Sequence, residues 1–325
     1  MSTLGTYAGV DIGGTKCAVS IGEETTAGIQ ILAKKSFPTP SSPELALKQL
    51  LDTLQEIITE TSSTVLGIGI SCGGPLDSRR GLILAPPNLP TWDGIDVITP
   101  FQQSFGVPVG LQNDANACAL AEWKWGAGKG CRNMIFLTFG TGMGAGLILD
   151  GRLYAGTNDM AGEVGHMRME EDGPTGYGKP GSFEGFCSGG GIAQLARSMA
   201  EKSLRAGDSP LFCPVYEDLA KVTAQKVGEA AQQGDALAIE VLHITARQLG
   251  RGLAILIDVL NPERIVIGSI YGRQLAFLEP IVKQVLLEET LPHSLSVCTV
   301  VPAGLGESVG DLASLSVALH TVSFQ

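Results

Sequence analysis

Apolar runs and glycine turns alternate along this chain, and one phrase occurs twice. Tyr7-Ala8-Gly9-Val10 leads into Asp11-Ile12-Gly13-Gly14-Thr15-Lys16. Met134 to Phe139 leads into Gly140-Thr141-Gly142-Met143-Gly144-Ala145-Gly146, followed by Leu147-Ile148-Leu149. Each reads as strand, tight glycine turn, strand. With no Cβ in the way, such a turn lets backbone N–H groups converge on an anion. A pair of them suggests two halves closing on one polyphosphate.

The remaining periodicities fill in the elements. Residues 7–35 read as a three-stranded meander. A helix is expected over 43–60, where Leu45, Leu47, Leu50, Leu51, Leu54, Ile57 and Ile58 recur near 3.6-residue spacing behind Ser41-Ser42-Pro43. Then come a buried strand at 65–70, a proline-rich loop at 81–94, a helix at 95–105 and a strand at 107–111. A helix at 115–125 is launched by Asn113-Asp114, both good N-cap residues. The second half reads as a hairpin at 134–150, a loop at 156–184, a helix at 189–204 and a polar excursion at 205–217. Helices follow at 224–233 and 236–261, then strands at 264–267 and 297–301 and a closing helix at 311–320. Strands alternating with helices, with a meander at the start of each half, predict α/β architecture and an old internal duplication.

Composition narrows the class. At 325 residues the chain has room for roughly two domains, and 44 % hydrophobic against 17 % charged residues excludes a disordered chain. Net charge is −11 with no basic stripe, so no nucleic-acid partner is expected. The seven cysteines show no C-x-x-C spacing and sit mostly in apolar runs, as reduced buried thiols do. The first residues lack a signal-peptide pattern. The longest apolar stretch, 253–260, contains Asp258 and is too short to span a bilayer. A soluble cytoplasmic protein with no membrane partner is expected.

The residues themselves suggest chemistry at several points. Asp114 follows a strand and opens a helix, where its carboxylate could accept a proton from a hydroxyl; capping the helix is the plainer role. Asp11, beside the first glycine turn, could hold Mg²⁺ through water. Glu163 and His166 lie three apart in a glycine-flanked turn.

Six motifs in order carry a closer likeness. They are Asp11 to Lys16, Gly73-Gly74-Pro75-Leu76-Asp77, Asn88-Leu89-Pro90-Thr91-Trp92, Gln112 to Ala117, Gly140 to Gly146, and Gly162-Glu163-Val164-Gly165-His166. Together they resemble the ROK family of sugar kinases over about residues 7–320. The resemblance implies a two-lobed actin-like or hexokinase-like ATPase fold, with ATP and a hexose between the lobes. The expected domains are a small α/β one, 1–114, closed by a C-terminal helix at about 308–325, and a large one, 115–307. A homodimer is expected.

The resemblance makes Asp114 the catalytic base. It implies sugar contacts from Gly73, Asn88, Asn113, Glu163, His166 and Glu184. Phosphates fall to Gly13, Gly14, Thr15 and Lys16 from one side and to Thr141 and Gly142 from the other, with Gly268 and Ser269 bordering the adenosine and Asp11 serving Mg²⁺. The family's repressors carry a DNA-binding domain ahead of the first glycine motif; with that motif starting at Asp11, a repressor is not expected.

The chain departs from the family between His166 and Glu184. Where the family has three zinc-binding cysteines, this chain has Thr175, Tyr177 and Ser182. Neutral hydroxyls do not replace thiolates, so no structural zinc is expected. The leading expectation is an ATP-dependent, glucokinase-like hexose kinase. Fructose, mannose or an N-acetylhexosamine as substrate, polyphosphate as donor, and a non-catalytic sugar sensor remain as alternatives.

Overall fold

A long hairpin starts the fold, because Tyr7, Ala8, Val10 and Ile12 must bury their side chains and the glycine turn after Ile12 folds the chain back. Strands β1 (Thr3–Ile12), β2 (Lys16–Thr25) and β3 (Gly28–Pro38) form an antiparallel meander. On its other side β1 pairs in parallel with β4 (Ile68–Cys72), which pairs in parallel with β5 (Val109–Asn113). The sheet order is thus β3-β2-β1-β4-β5. Every residue of β4 is buried, as a central parallel strand covered on both faces requires. The computed structural model describes residues 3–26 and 28–323; the final two residues of the expected C-terminal closure lie outside the described residues.

Helix α1 (Pro43–Thr61) begins where the Ser42 side chain accepts from the Leu45 N–H, and it buries Ala46, Leu50, Leu54 and Ile57. Helix α2 spans only Thr99–Phe105, shorter than the expected 95–105. The Asp96 carboxylate accepts from the N–H groups of Ile98 and Thr99, both at 3.0 Å, and so fixes the start. Residues 93–96 instead join 76–77 and 82–84 in a small antiparallel sheet, which replaces part of the expected loop at 81–94. Helix α3 (Asp114–Trp125) packs along the last helix, with Ser316 Oγ donating to the Ala117 carbonyl at 2.9 Å.

The second sheet repeats the plan. Its strands are β6 (Met134–Leu137), β7 (Ala145–Leu149), β8 (Arg152–Leu153), β9 (Arg264–Ile267) and β10 (Thr299–Pro302), in the order β8-β7-β6-β9-β10. As in the first sheet, the first strand is central, the meander lies to one side, and two strands that arrive by crossover lie to the other. Strands β6, β9 and β10 run parallel. Helices α4 (Gly189–Ala206), α5 (Ala224–Gln232) and α6 (Ala236–Leu260) match their periodicity. Helix α7 (Leu275–Glu289) has no counterpart in the sequence reading, since Pro280 lies inside it. It packs against α6. Helix α8 (Val309–Ser323) ends the described chain.

By contact density the chain divides into unit 1 (Met1–Cys131, Gly146–Ala161 and Glu307–Gln325) and unit 2 (Arg132–Ala145 and Gly162–Gly306). Helix α3 goes with unit 1, where α8 covers it, whereas the sequence division started its second domain at 115. Among the described residues no helix is long and apolar enough to cross a membrane.

Candidate functional site

In unit 1 the strand register aligns the candidate residues. Ile12 lies opposite Cys72, and Cys72 opposite Asn113, so the residues that follow (Gly13, Gly73 and Asp114) leave the sheet side by side. This is the carboxyl edge of three parallel strands, where α/β sheets place ligands. Asn113 caps α3, its Oδ1 accepting from the Asn116 N–H at 2.8 Å, and Asp114 Oδ1 accepts from the Ala115 N–H at 2.8 Å. The plainer capping role therefore holds for Asn113, whose amide NH₂ remains for other contacts. Asn88 is exposed and joins the same edge: a Cβ on Gly14 would stand 2.5 Å from the Asn88 carbonyl oxygen.

The first glycine turn divides its N–H groups. Gly13 N–H donates to the Lys16 carbonyl at 3.2 Å, and Thr39 Oγ1 donates to the Gly13 carbonyl at 2.5 Å. Gly13 thus shapes the turn. Gly14 and Thr15 donate no backbone hydrogen bond among the described residues and are exposed, as is Lys16. These are the groups that can meet an anion.

Electrostatics mark the two carboxylates. Asp11 is pushed up to about 6, first by burial and then by the like charge of Asp114; Lys34 and Lys16 pull it back, and Asp311 adds a smaller push. Asp114 is solvent-accessible, yet the protein around it displaces enough water to raise its pKa, against the opposing Ala115 N–H bond. Raised carboxylates in an accessible edge suit proton acceptance. Cys72 and Cys118 lie close enough for burial and the Asp114 and Asp11 charges to hold their thiols protonated.

In unit 2 the second glycine turn is similarly economical. Gly140 N–H donates to the Gly142 carbonyl (3.2 Å), Met143 N–H to Glu184 Oε2 (3.0 Å), and Gly144 N–H to Thr138 Oγ1 (2.8 Å). Thr141 and Gly142 are left over, the two residues expected at the phosphates. A Cβ on Gly142 would stand 2.9 Å from Glu184 Oε2 and push that carboxylate aside. The φ of Gly142 lies outside the left-handed region, so conformational freedom does not require glycine there.

A cavity of about 600 Å³ opens beside this turn, and Gly140, Thr141, Gly189, Gly190 and Ser269 line it. Gly268 follows β9 and donates to the Leu137 carbonyl, which brings Ser269 to the cavity. Ser269 adopts φ 52°, ψ −104°, a strained backbone of the kind that clusters at functional sites. The N-terminus of α4, capped by Ser188, opens onto the cavity through Gly189 and Gly190 and adds a positive dipole end. The sequence reading placed a helix at 189–204 but gave its start no part in the site, although Ser188-Gly189-Gly190-Gly191 is a visible cap with three residues lacking a Cβ. It also missed Arg197, Gln225 and Arg273, which line the same cavity.

The loop after His166 is held by hydrogen bonds. Ser182 is fully buried; its Oγ donates to the Gly176 carbonyl and accepts from the Gly185 N–H. Gln194 clamps Thr175 at both backbone groups (3.0 and 2.9 Å). The Arg168 guanidinium donates to the carbonyls of Glu170, Glu171 and Pro180. Lys179 Nζ donates to the His166 carbonyl at 2.5 Å, and Tyr177 meets the His166 ring edge-on, centroids 5.9 Å apart. Cys187 is buried and points its thiol at the Thr245 carbonyl (3.6 Å). Glu163 and His166 are both exposed. Among the described residues no three His, Cys, Asp or Glu side chains are grouped to hold a metal ion.

Paired sheets of one topology, each with a glycine turn at its carboxyl edge, define an α/β chain of the two-lobed, actin-like ATPase class. The chain belongs to the ROK family, whose profile matches residues 7–320. It is 35 % identical over 270 residues to a glucokinase of Halalkalibacterium halodurans, covering 81 % of this chain and 79 % of that one. It is 31 % identical over 230 residues to a xylose repressor of Caldicellulosiruptor bescii, covering 70 % of this chain and 56 % of the repressor. Its structure resembles that of a ROK family glucokinase from Streptomyces griseus in complex with glucose and AMPPNP. The TM-score is 0.74 at 30 % identity, over 97 % of this chain and 99 % of the other.

Proposed function

We propose that this chain is a sugar kinase that transfers the γ-phosphoryl group of ATP to the primary hydroxyl of a hexose, glucose foremost. The observation that carries the reading is the register that sets Asp114 level with the glycine turn after Ile12, on one sheet edge. Asp114 takes the proton from the attacking hydroxyl, and its raised pKa suits the task. Asn88, Gly73 and Asn113 in unit 1, and Glu163, His166 and Glu184 in unit 2, receive sugar hydroxyls, each of which needs a partner once buried.

Gly14, Thr15 and Lys16 hold phosphate, with Gly13 shaping their turn. Thr141 and Gly142 offer the N–H groups that their own turn leaves over. The cavity bordered by Gly268 and Ser269 accepts the adenosine, and the bare backbone at Gly189–Gly190 fits a nucleotide's approach. Asp11 suits a hard cation such as Mg²⁺, held through water, since added positive charge relieves its repulsion with Asp114. When bound, the ion neutralises charge on the phosphates. A cytoplasmic homodimer completes the reading.

An ADP-release assay over glucose, fructose, mannose and N-acetylhexosamines tests it. Turnover with the highest kcat/KM for glucose is expected. Sugar binding without ADP release for any of them would make the chain a sensor.

A further inference from the structure

A cavity of about 610 Å³ lies in unit 1, away from the residues assigned above. It forms where the far ends of four elements meet: the start of β1 at Leu4, the end of β2 at Glu24 and Thr25, the last turn of α3 at Trp123 and Trp125, and the last turns of α8 at Leu319 and His320. The opposite ends of these elements carry Asp11, Lys16, Asp114 and Asp311. At a strand rise of about 3.3 Å, the seven steps from Leu4 to Asp11 separate the two places by roughly 20 Å.

The lining is mostly apolar, with one buried charge. Leu4, Leu120, Trp123 and Leu319 supply the walls, and the Trp123 ring is fixed by its indole N–H donating to the Cys131 carbonyl at 2.7 Å. Glu24 is only 8 % exposed. Among the described residues its carboxylate accepts no hydrogen bond, and its single cation, Lys124 Nζ, stands 3.9 Å away on a side chain 48 % exposed. A buried carboxylate ordinarily carries hydrogen bonds or a close counter-ion. Burial pushes the His320 pKa down, and Lys129, which also lines the cavity, is exposed and forms no ion pair with Glu24 among the described residues. A ligand that brings a positive charge would meet Glu24, and an apolar body would cover the leucines and the Trp123 ring, whose face also attracts cations.

We propose that this cavity is a binding site for a small organic amine, a protonated amino group carried on an apolar body of about aromatic-ring size, with Glu24 as its anchor. Lys124 swings into solvent as the amine takes its place. Binding ties together the far ends of β2, α3 and α8, and α3 carries that restraint to Asp114 as a rigid element. The site does not depend on the kinase reading.

Calorimetry on the full chain tests this with tryptamine and its neutral counterpart tryptophol. Tryptamine should bind wild type about tenfold or more tighter than tryptophol. Glu24→Gln should abolish that preference without lowering the melting temperature, and Leu4→Trp, at the exposed rim, should weaken both compounds. If Glu24→Gln does not fold, the wild-type preference and the Leu4→Trp loss still decide. Equal affinity of wild type for the two compounds, no binding of either, or unchanged tryptamine affinity in Glu24→Gln would each overturn the proposal.

Discussion

Asp11 sits where the fold works against its charge. Its pKa, raised from 3.8 to about 6, means that the folded state resists ionisation. Asp11 contributes favourably below about pH 4, and that contribution is lost as pH rises through about 6. The full shift corresponds to at most about 3 kcal/mol, less after screening, because the side chain is partly exposed. Asp11→Asn should therefore raise the melting temperature of the ligand-free protein at neutral pH and leave it nearly unchanged near about pH 4. Equal shifts at both would remove the electrostatic account. The same variant should lose most activity, a trade of stability for function. Gly142 is a second test at this scale. A Val side chain must displace Glu184 Oε2, which lies 2.9 Å from the position of the added Cβ. Calorimetry of Gly142→Val should show both ATP and sugar affinity falling, each by about tenfold or more. Loss of ATP binding alone would mean that Glu184 does not touch the sugar.

At the scale of elements, the loop 167–184 shows what the sequence conceals. The missing thiols at 175, 177 and 182 were visible, and so was the expectation of no structural zinc. The replacement was not, because Gln194, which clamps Thr175, is 19 residues away and looks like any polar helix position. Elemental analysis of untagged protein should find no stoichiometric zinc, with activity surviving EDTA once Mg²⁺ is restored. Gln194→Ala should raise the KM for sugar several-fold by loosening the segment between His166 and Glu184. One zinc per chain, or a variant indistinguishable from wild type, would contradict this. The glycine hairpins and the amphipathic helices α1, α3 and α6 were legible because periodicity and caps agree there. Helix α7 was hidden by Pro280, and the start of α2 was set by Asp96, an acceptor whose reach to Ile98 and Thr99 no periodicity announces.

At the scale of the molecule, the repeated order of the two sheets gives the expected duplication a physical form: a meander, then two parallel strands, twice. In unit 1 the register brings Asp11, Gly13, Gly73 and Asp114 to one edge, a grouping that the six motifs implied only through their order. The account as a whole rests on Asp114. The most direct measurement is the turnover of Asp114→Asn, taken with its glucose affinity by calorimetry on the same preparation. Kcat should fall by about 10²–10⁴ while glucose binds within a few-fold of wild type. Turnover close to wild type would contradict the role given to Asp114 and the mechanism built on it.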